Sequence, residues 1–516
     1  EPSTGPGPTL APGATATAPV PTVLPSPTPG TIPASFPLAV VTGMSNNRTV
    51  ITMDELDAIS SSGKLAMPCG IESAQLSSAS LAACVPAPRI ASLLQDDPDR
   101  LALLPVGLVE PATKVIAFAG DGPFGLFGPD LFGGPEARAL PYPLMGSAIG
   151  SPPIDPAWVV PDAEQGQVWT LNETGSLCAD RGGARQAVTL GKGWDWVFDG
   201  GTAKYKGPPI PNPNPPPGID RHPIVRPVET GNDGVTSKLI ASSDVTLGNL
   251  KCPVLPTKDW HPANQAAGLS VPEDVLDRWA DFLGIDAVYL PADHQSDRGV
   301  RGIQSTLDLL DKHTFPHTGL GMNLDQALEP AYLTVAGQKV AFVSWDNVPG
   351  PTHAAADTPG VAWLTKSNVN AAVKRAKDAG ANVIVCDPQW WAGSEYREQL
   401  FPNQVKALGW MDAAGCDQVL GGGLHVSGAV YLRQQEGGVS VVDAGPGNFQ
   451  YGQDFWQNTQ EGVVVSLAFR GDELVNVRLY PYVMILASRA ALLDPEGDGH
   501  YVLDRVWSYS ELDYLK

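Results

Sequence analysis

Apolar and polar positions alternate along this chain in two rhythms, one of strands and one of helices. FPLAVVTG (36–43) is an unbroken apolar, β-branched run closed by Gly43, which predicts a buried strand. ITMDELDAISSSGKL follows with apolar residues at helical spacing, and Thr52 stands where an N-cap belongs. RIASLLQDDPDRLALLPVGLVEPATKVIAFAGDGPF predicts a helix, a short strand and a strand at Lys114–Ala119, with LPYPL (140–144) after it. From about residue 165, strand and helix patterns alternate. QVWTLNETG (167–175) predicts a strand, and KLIASSDVTLGNLKCPV (238–254) holds one ending at Asn249. VPEDVLDRWADFLGIDAVYLPADH (271–294) predicts a helix capped by Gly284 and then a strand; GIQSTLDLLDKH (302–313) predicts a helix. AYLTVAGQKVAFVSW (331–345) predicts a hairpin turning on Ala336-Gly337, and two helix–Gly–strand units occupy 367–387 and 401–425. GVSVVDAGPGNF and GVVVSLAFRGDELVNVRLYPYVM supply the last strands. This alternation predicts α/β layers.

Two stretches break the rhythm. Residues 1–35 are Pro, Thr, Ala, Gly and Ser with almost no charge, a composition that cannot bury enough apolar surface to fold alone. They are expected to be an extended arm: a linker or glycosylated stalk, or an assembly element that orders on a neighbouring subunit. KGPPIPNPNPPPGIDRHP (206–223) is expected to be a surface loop. The division expected is an arm at 1–35, a smaller domain at 36–155 and a larger one at 165–516.

With 516 residues the chain is too long for one ordinary core, and its 43% hydrophobic content suffices for more than one. Only 17% of residues are charged, against 55 Gly and 50 Pro, which suits a loop-rich extracellular protein. A net charge of -22 repels nucleic acid and anionic lipid, so neither is expected as a partner. No stretch of about 20 apolar residues is present to span a bilayer. The chain begins at Glu1 rather than Met, so a processed, secreted or cell-surface form is expected. Six cysteines (Cys69, Cys84, Cys178, Cys252, Cys386 and Cys416) fit disulfides in such a setting. Sequence order suggests pairing each with its neighbour but does not settle it. No CxxC occurs, which argues against a zinc knuckle.

The first 110 residues after the arm resemble half of a periplasmic phosphate-type binding protein. FPLAVV, a helix, DPDRLALLP (97–105) and LPYPL carry the likeness, which implies an α/β fold and no particular ligand. The Gly-rich run at 120–134 can be read as an anion cradle or as a plain loop.

Polar clusters fall at the predicted strand ends, where open α/β sheets bind ligands. They are TGS (174–176), NLK (249–251), PADHQSDRG (291–299), QWWAGSEY (389–396), GGGLHV (421–426) and PGNF (446–449). In order and spacing they resemble the CapA family of poly-gamma-glutamate capsule synthesis proteins, with its TGD, NLE, ANNHxxDxG, HWGxEY, GxHPHV and SLGNF. The likeness spans about 170–485. It implies a calcineurin-like metallophosphatase αββα sandwich and, in the family, one or two divalent ions held by carboxylates, an amide and histidines.

This chain departs from that ligand set. Ser176 stands for the first Asp, Lys251 for the Glu of NLE, and Ala292 and Asp293 for the Asn pair; Gln389 or Trp391 fills the first His slot and Gly423 the second. His294, Asp297 and His425 are kept. A two-metal centre needs anions to offset about four positive charges, and an ammonium there removes a ligand and adds repulsion. Lys251 is therefore expected to pair with Asp293 and close the site, leaving a non-catalytic pseudoenzyme with no cofactor and a binding or structural role in the envelope or extracellular matrix. The alternative is one divalent metal on Asp293, His294 and His425, serving a hydrolase of phosphoesters or of an anionic polymer such as poly-gamma-glutamate; His294, Asp297 and His425 are its candidate catalytic groups. Trp390, Trp391 and Tyr396 beside Glu395 are readable as a carbohydrate shelf or as core under a loop. Expected partners are a second copy or an envelope component through the arm, or a glycan or anionic polymer.

Overall fold

The computed structural model describes residues 35–510 and Leu512, except 74, 76–82, 151–153, 161–167, 211–223, 264–267, 392 and 436–437. The arm expected at 1–35 thus lies outside the described residues apart from Ser35.

The first sheet is built around β1 (Phe36–Gly43), the apolar run that opens the described chain. It is joined by β2 (Leu65–Pro68), β3 (Ile71–Glu72), β4 (Ala83–Val85), β5 (Leu101–Pro105), β6 (Thr113–Val115) and β7 (Leu144–Ala148) in the order β3-β7-β1-β5-β2-β4, with β6 also on β1. Helices α1 (Met53–Ser61) and α2 (Ile90–Asp96) accompany it. Thr52 opens α1 through a reciprocal capping box with Glu55. The single strand expected at Lys114–Ala119 is split: Thr113–Val115 pairs with β1, while Ala117–Phe118 turns away to pair with Val50–Ile51.

The larger part is four layers. A ten-stranded sheet contains β8 (Val168–Cys178), β9 (Gly201–Ile210), β10 (Ile224–Gly231), β11 (Val245–Leu250), β12 (Ala287–Tyr289) and β13 (His317–Thr318). A six-stranded sheet runs β14-β15-β16-β17-β19-β18, formed by β14 (Ala331–Val335), β15 (Gln338–Asp346), β16 (Val383–Gln389), β17 (Gln418–Leu420), β18 (Val430–Gln435) and β19 (Gly438–Asp443). The chain then returns to the first of these two sheets with β20 (Asn448–Tyr451), β21 (Glu461–Arg470), β22 (Glu473–Ile485) and β23 (Arg489–Leu493), giving the order β10-β9-β23-β22-β21-β8-β11-β12-β13, with β20 also on β8. The hairpin β14–β15 turns where expected, with positive φ at both Ala336 (46°) and Gly337 (79°), as a two-residue hairpin turn demands.

Alternation decides the layering. Trp169, Leu171, Val245, Leu247, Val340, Phe342, Val383, Val385, Val463 and Val465 all point into the space between the two sheets. The other face of the ten-stranded sheet is covered by α3 (Val235–Ala241), α4 (Asp274–Leu283) and α5 (Gly299–Lys312). The other face of the six-stranded sheet is covered by α6 (Lys366–Asp378) and α7 (Pro402–Ala414). The result is a four-layer αββα sandwich, the layering that the resemblance implies. The first sheet docks on β21 and β22 through Val41, Leu104, Val115, Ala468 and Val475, and Asn476 Nδ2 donates to the Thr113 carbonyl at 2.9 Å.

Of the loop expected at 206–223, residues 211–223 lie outside the described residues, and the rest is strand. Lys206–Ile210 continues β9 and pairs with β10, Ile210 lying opposite Ile224. The register slips between Lys206 and Ile210, so Pro208 and Pro209 sit in an irregular stretch beside an edge strand, where a missing N–H is tolerated. Three disulfides staple the fold: Cys69–Cys84, Cys178–Cys252 and Cys386–Cys416, with Cα separations of 4.7, 5.7 and 5.9 Å. No helix among the described residues is long and apolar enough to cross a membrane.

Candidate functional site: a lysine-centred cleft

Parallel β8, β11 and β12 of one sheet and β15, β16 and β17 of the other end on the same side, and the polar clusters of the sequence meet there. Lys251 lies one residue beyond β11. Its backbone N–H donates to the Leu177 carbonyl, and the neighbouring Cys252 is bonded to Cys178 at the end of β8. Its side chain is fully buried. Nζ lies 3.0 Å from Glu395 Oε1 and 3.5 Å from Asp293 Oδ1, and 5.4 Å from the centre of the Tyr451 ring. Burial opposes the ammonium charge, but Asp293 and Glu395 outweigh it and hold the lysine above its ordinary range.

Both retained histidines are committed to neighbours. His294 Nδ1 is 2.9 Å from Asp297 Oδ2, and its Nε2 is 2.9 Å from the Tyr451 hydroxyl. A carboxylate only accepts, so Nδ1 carries a proton; Nε2 shares its bond with the Tyr451 hydroxyl, and Asp293 Oδ2 lies 3.3 Å from the same nitrogen. Burial works against the Asp297 charge, yet the His294 bond and the N–H groups of Leu269 and Gly268 keep its pKa below the usual aspartate value. His425 is almost fully buried and donates from Nδ1 to Asn448 Oδ1 at 2.8 Å, because Asn448 spends its amide N–H groups on Thr459 and Gln453. Its Nε2 faces Glu395 Oε1 at 3.6 Å. Burial first, then the Lys251 charge, push His425 well below the ordinary imidazole range, so the ring is neutral.

The remaining positions divide between cleft and core. Ser176 is buried and pairs across to Asn448 on β20. Gln389 is buried and donates to Asp387 Oδ1 at 2.8 Å. Gly423 has φ of +82°, a conformation that a His in its place would adopt only under strain. Trp390 does not belong to a carbohydrate shelf: it is fully buried, its Nε1 donating to the Ala444 carbonyl at 2.9 Å. Trp391 and Tyr396 are half-buried, and Tyr396 packs on His425, Phe455 and Trp456 with ring centres 5.3, 5.9 and 6.3 Å away. The Gly-rich run at 120–134 forms a short 3-10 turn at Pro123–Gly125, with Phe124 exposed at its tip.

This donor set does not fit a divalent ion. The ammonium of Lys251 takes up Asp293 and Glu395, three of the four imidazole nitrogens are held by Asp297, Tyr451 and Asn448, and no group of three or more His, Cys, Asp or Glu among the described residues is arranged to hold one. What the arrangement offers instead is a cleft lined by partly exposed Asp293, His294, Glu395 and Tyr396 over a neutralised floor.

Three participants escape sequence reasoning. Glu395 is visible in QWWAGSEY, but nothing in the string says that it reaches Lys251 across the cleft. Tyr451 follows PGNF without any motif. Asp346, fully buried and held above its ordinary pKa chiefly by burial, closes the floor from the end of β15.

Residues 230–449 match the family model described as bacterial capsule synthesis protein PGA_cap. No curated protein matches the chain. Among solved structures, a hypothetical protein from Thermus thermophilus is similar at 13% identity and TM-score 0.32, covering 49% of this chain and 92% of that one. A 5'-nucleotidase precursor from the same organism is similar at 15% identity and TM-score 0.33, covering 66% of this chain and 58% of that one. The NAD nucleotidase NadN of Haemophilus influenzae is similar at 10% identity and TM-score 0.33, covering 67% and 57%. The match thus spans less than two thirds of the length of either nucleotidase.

Proposed function

Because residues 230–449 match the bacterial capsule synthesis family, we propose that this chain is a secreted or cell-surface member of that family whose cleft binds or scaffolds rather than hydrolyses. One observation carries the reading: a fully buried ammonium, that of Lys251, stands between Asp293 and Glu395 where the relatives of the resemblance carry a carboxylate. A charge so enclosed repels a divalent ion and consumes the anions that would hold one. Three disulfides and no free cysteine among the described residues suit an oxidising location. The partners that fit are a glycan or other envelope component in the cleft, and a second copy or an envelope protein through the arm at 1–35.

Metal analysis of the purified protein tests this directly. No stoichiometric transition metal is expected in the wild type, and none after dialysis against zinc or manganese. A tightly held ion, lost together with His425 in a folded His425→Ala variant, would overturn the reading.

A second reading is favoured by the intact Asp297–His294 pair beside Tyr451. It is the metal-dependent hydrolase of phosphoesters or of an anionic polymer, with His294, Asp297 and His425 as working groups. Turnover of such a substrate, abolished by His294→Ala with folding retained, would establish it.

A further inference from the structure

Between the two sheets the apolar alternation turns acidic at its last step before the cleft. On the inward face, Trp169 and Leu171 of β8 are followed by Glu173, Val383 and Val385 of β16 by Asp387, and Val441 of β19 by Asp443. The register fixes their neighbourhood: Asp387 lies opposite Ser344, and Asp443 opposite Leu420 of the intervening strand β17. Asn249 of β11 and Tyr289 of β12 complete the layer from the other sheet.

Glu173 is 1% exposed and Asp387 and Asp443 are 0% exposed, so water does not solvate their charge. Nor does a counter-ion: no Lys, Arg or His among the described residues acts on any of the three. Hydrogen-bond donors are scarce. Gln389 Nε2 donates to Asp387 Oδ1 at 2.8 Å, and Ser344 Oγ is 3.5 Å from the same atom. Asp443 faces the Gly445 N–H without a hydrogen bond of ordinary geometry. Both oxygens of Glu173, both of Asp443 and Oδ2 of Asp387 have no donor among the described residues. Independently of the acids, the Tyr289 hydroxyl, Asn249 Oδ1 and Gln389 Oε1 are buried and unpartnered in the same layer. Three ionised carboxylates in such a place would be uncompensated and mutually repelling. Neutral carboxylic acids would each supply a donor to an acceptor-rich chamber.

We propose that Glu173, Asp387 and Asp443, with the Tyr289 hydroxyl, form a proton-held clasp that locks the two sheets together beneath the cleft and loosens as the medium turns alkaline. Burial raises Glu173 and Asp387 well above the carboxylate range, mutual repulsion adding to it, and burial pushes Asp443 up to about 8. The folded state therefore binds these protons more tightly than the unfolded chain. The stability these protons contribute is complete below the ordinary carboxylate range, and the share held by Asp443 is lost as pH climbs through about 8. A proton held about four units more tightly corresponds to as much as a ~10,000-fold change in the folding equilibrium. The clasp reaches the cleft floor through Gln389 and Asn249: a Cβ on Gly422 would meet their amide nitrogens at 1.9 and 2.3 Å.

Two measurements on the full-length protein test the clasp. Infrared spectroscopy of folded wild type at pH 6 should show the carbonyl band of protonated carboxylic acids; the band should weaken in Glu173→Gln and in Asp443→Asn, and fade in wild type towards pH 9. Protection of β8, β16 and β19 against hydrogen exchange, taken relative to the hydroxide-catalysed intrinsic rate at each pH, should fall over the same interval in wild type and not in the variants. A missing band at pH 6, a band that both folded variants leave unchanged, or protection that follows added calcium or sodium rather than pH would overturn the proposal. If neither variant folds, the wild type decides: fading of the band and loss of protection must share one midpoint, and separate midpoints refute the clasp.

Discussion

Lys251 Nζ and Glu395 Oε1 lie 3.0 Å apart although 144 residues separate them in the chain. One residue comes from the end of a strand in the ten-stranded sheet. The other comes from the segment after β16 in the six-stranded sheet, so the pair ties the two halves of the sandwich together at the floor of the cleft.

Removing the ammonium should therefore harm the fold rather than free the cleft. Lys251→Ala leaves Asp293 and Glu395 without their cation and should lower stability by about 3 kcal/mol in urea unfolding. Lys251→Met combined with Glu395→Gln should cost clearly less than the sum of the two single changes, since each single change strands the partner. Additive losses would show that the pair is not coupled.

Lys251→Glu should create a capacity for metal that is not expected of the wild type. With Asp293, Glu395 and the Nε2 of His425 around it, a carboxylate there should make the melting temperature rise on addition of zinc or manganese, whereas the wild type should not respond. An equal response in both would point to metal bound elsewhere.

The first sheet carries its own pH dependence. Lys114 is buried, donates to the Asn46 carbonyl, and has its pKa pushed down to about 7, by burial first and by Arg478 next. The folded pKa lies below the unfolded one, so this group penalises the fold fully below about 7 and ceases to do so near its ordinary value. Lys114→Met should stabilise by about 2 kcal/mol at pH 6 and by progressively less towards pH 10 in denaturant titrations. A gain that does not vary with pH would contradict this assignment.

His425 works on the acid side. Its folded pKa is depressed, so the unfolded chain takes up the proton first as pH falls below about 6.5. Stability should decline through that range, and a His425→Gln variant should show a flatter thermal profile between pH 7 and pH 5. Parallel profiles would mean that the imidazole titrates freely in the fold.

The Cys178–Cys252 bond closes 74 residues and sits beside Lys251. Replacing both cysteines by alanine should cost about 4 kcal/mol on chain-entropy grounds, and should also raise hydrogen exchange around residue 251. A loss confined to global stability would separate the disulfide from the cleft.

Much of this architecture is legible in the chain. The hairpin at Ala336-Gly337, the helix stop at Gly284 and the strand at 36–43 are local matters, fixed by φ preference and by apolar runs. The meeting of NLK, PADHQSDRG and GGGLHV is legible through the resemblance, because parallel strands bring their ends to one side. What stays hidden depends on distance in sequence. Asp293 is the expected partner of Lys251, but the shorter contact is to Glu395, which arrives on an irregular segment with no period to follow. Trp390 and Trp391 are indistinguishable as letters, yet one is sealed under Ala444 and the other is half-buried. Pro208 and Pro209 argue for a loop, but a slipped register on the flank of an edge strand accommodates them.

The order of strands has a consequence for biogenesis. Strand β8 opens the large sheet, but one of its neighbours is β21, and Trp169 Nε1 donates to Gly471, 302 positions later. A chain emerging from the ribosome or a translocation channel cannot complete its central layer until almost all of it has been delivered, and the small sheet at its beginning must wait for the same surface on β21 and β22. Truncation near the end should leave an insoluble remnant rather than a shortened working protein.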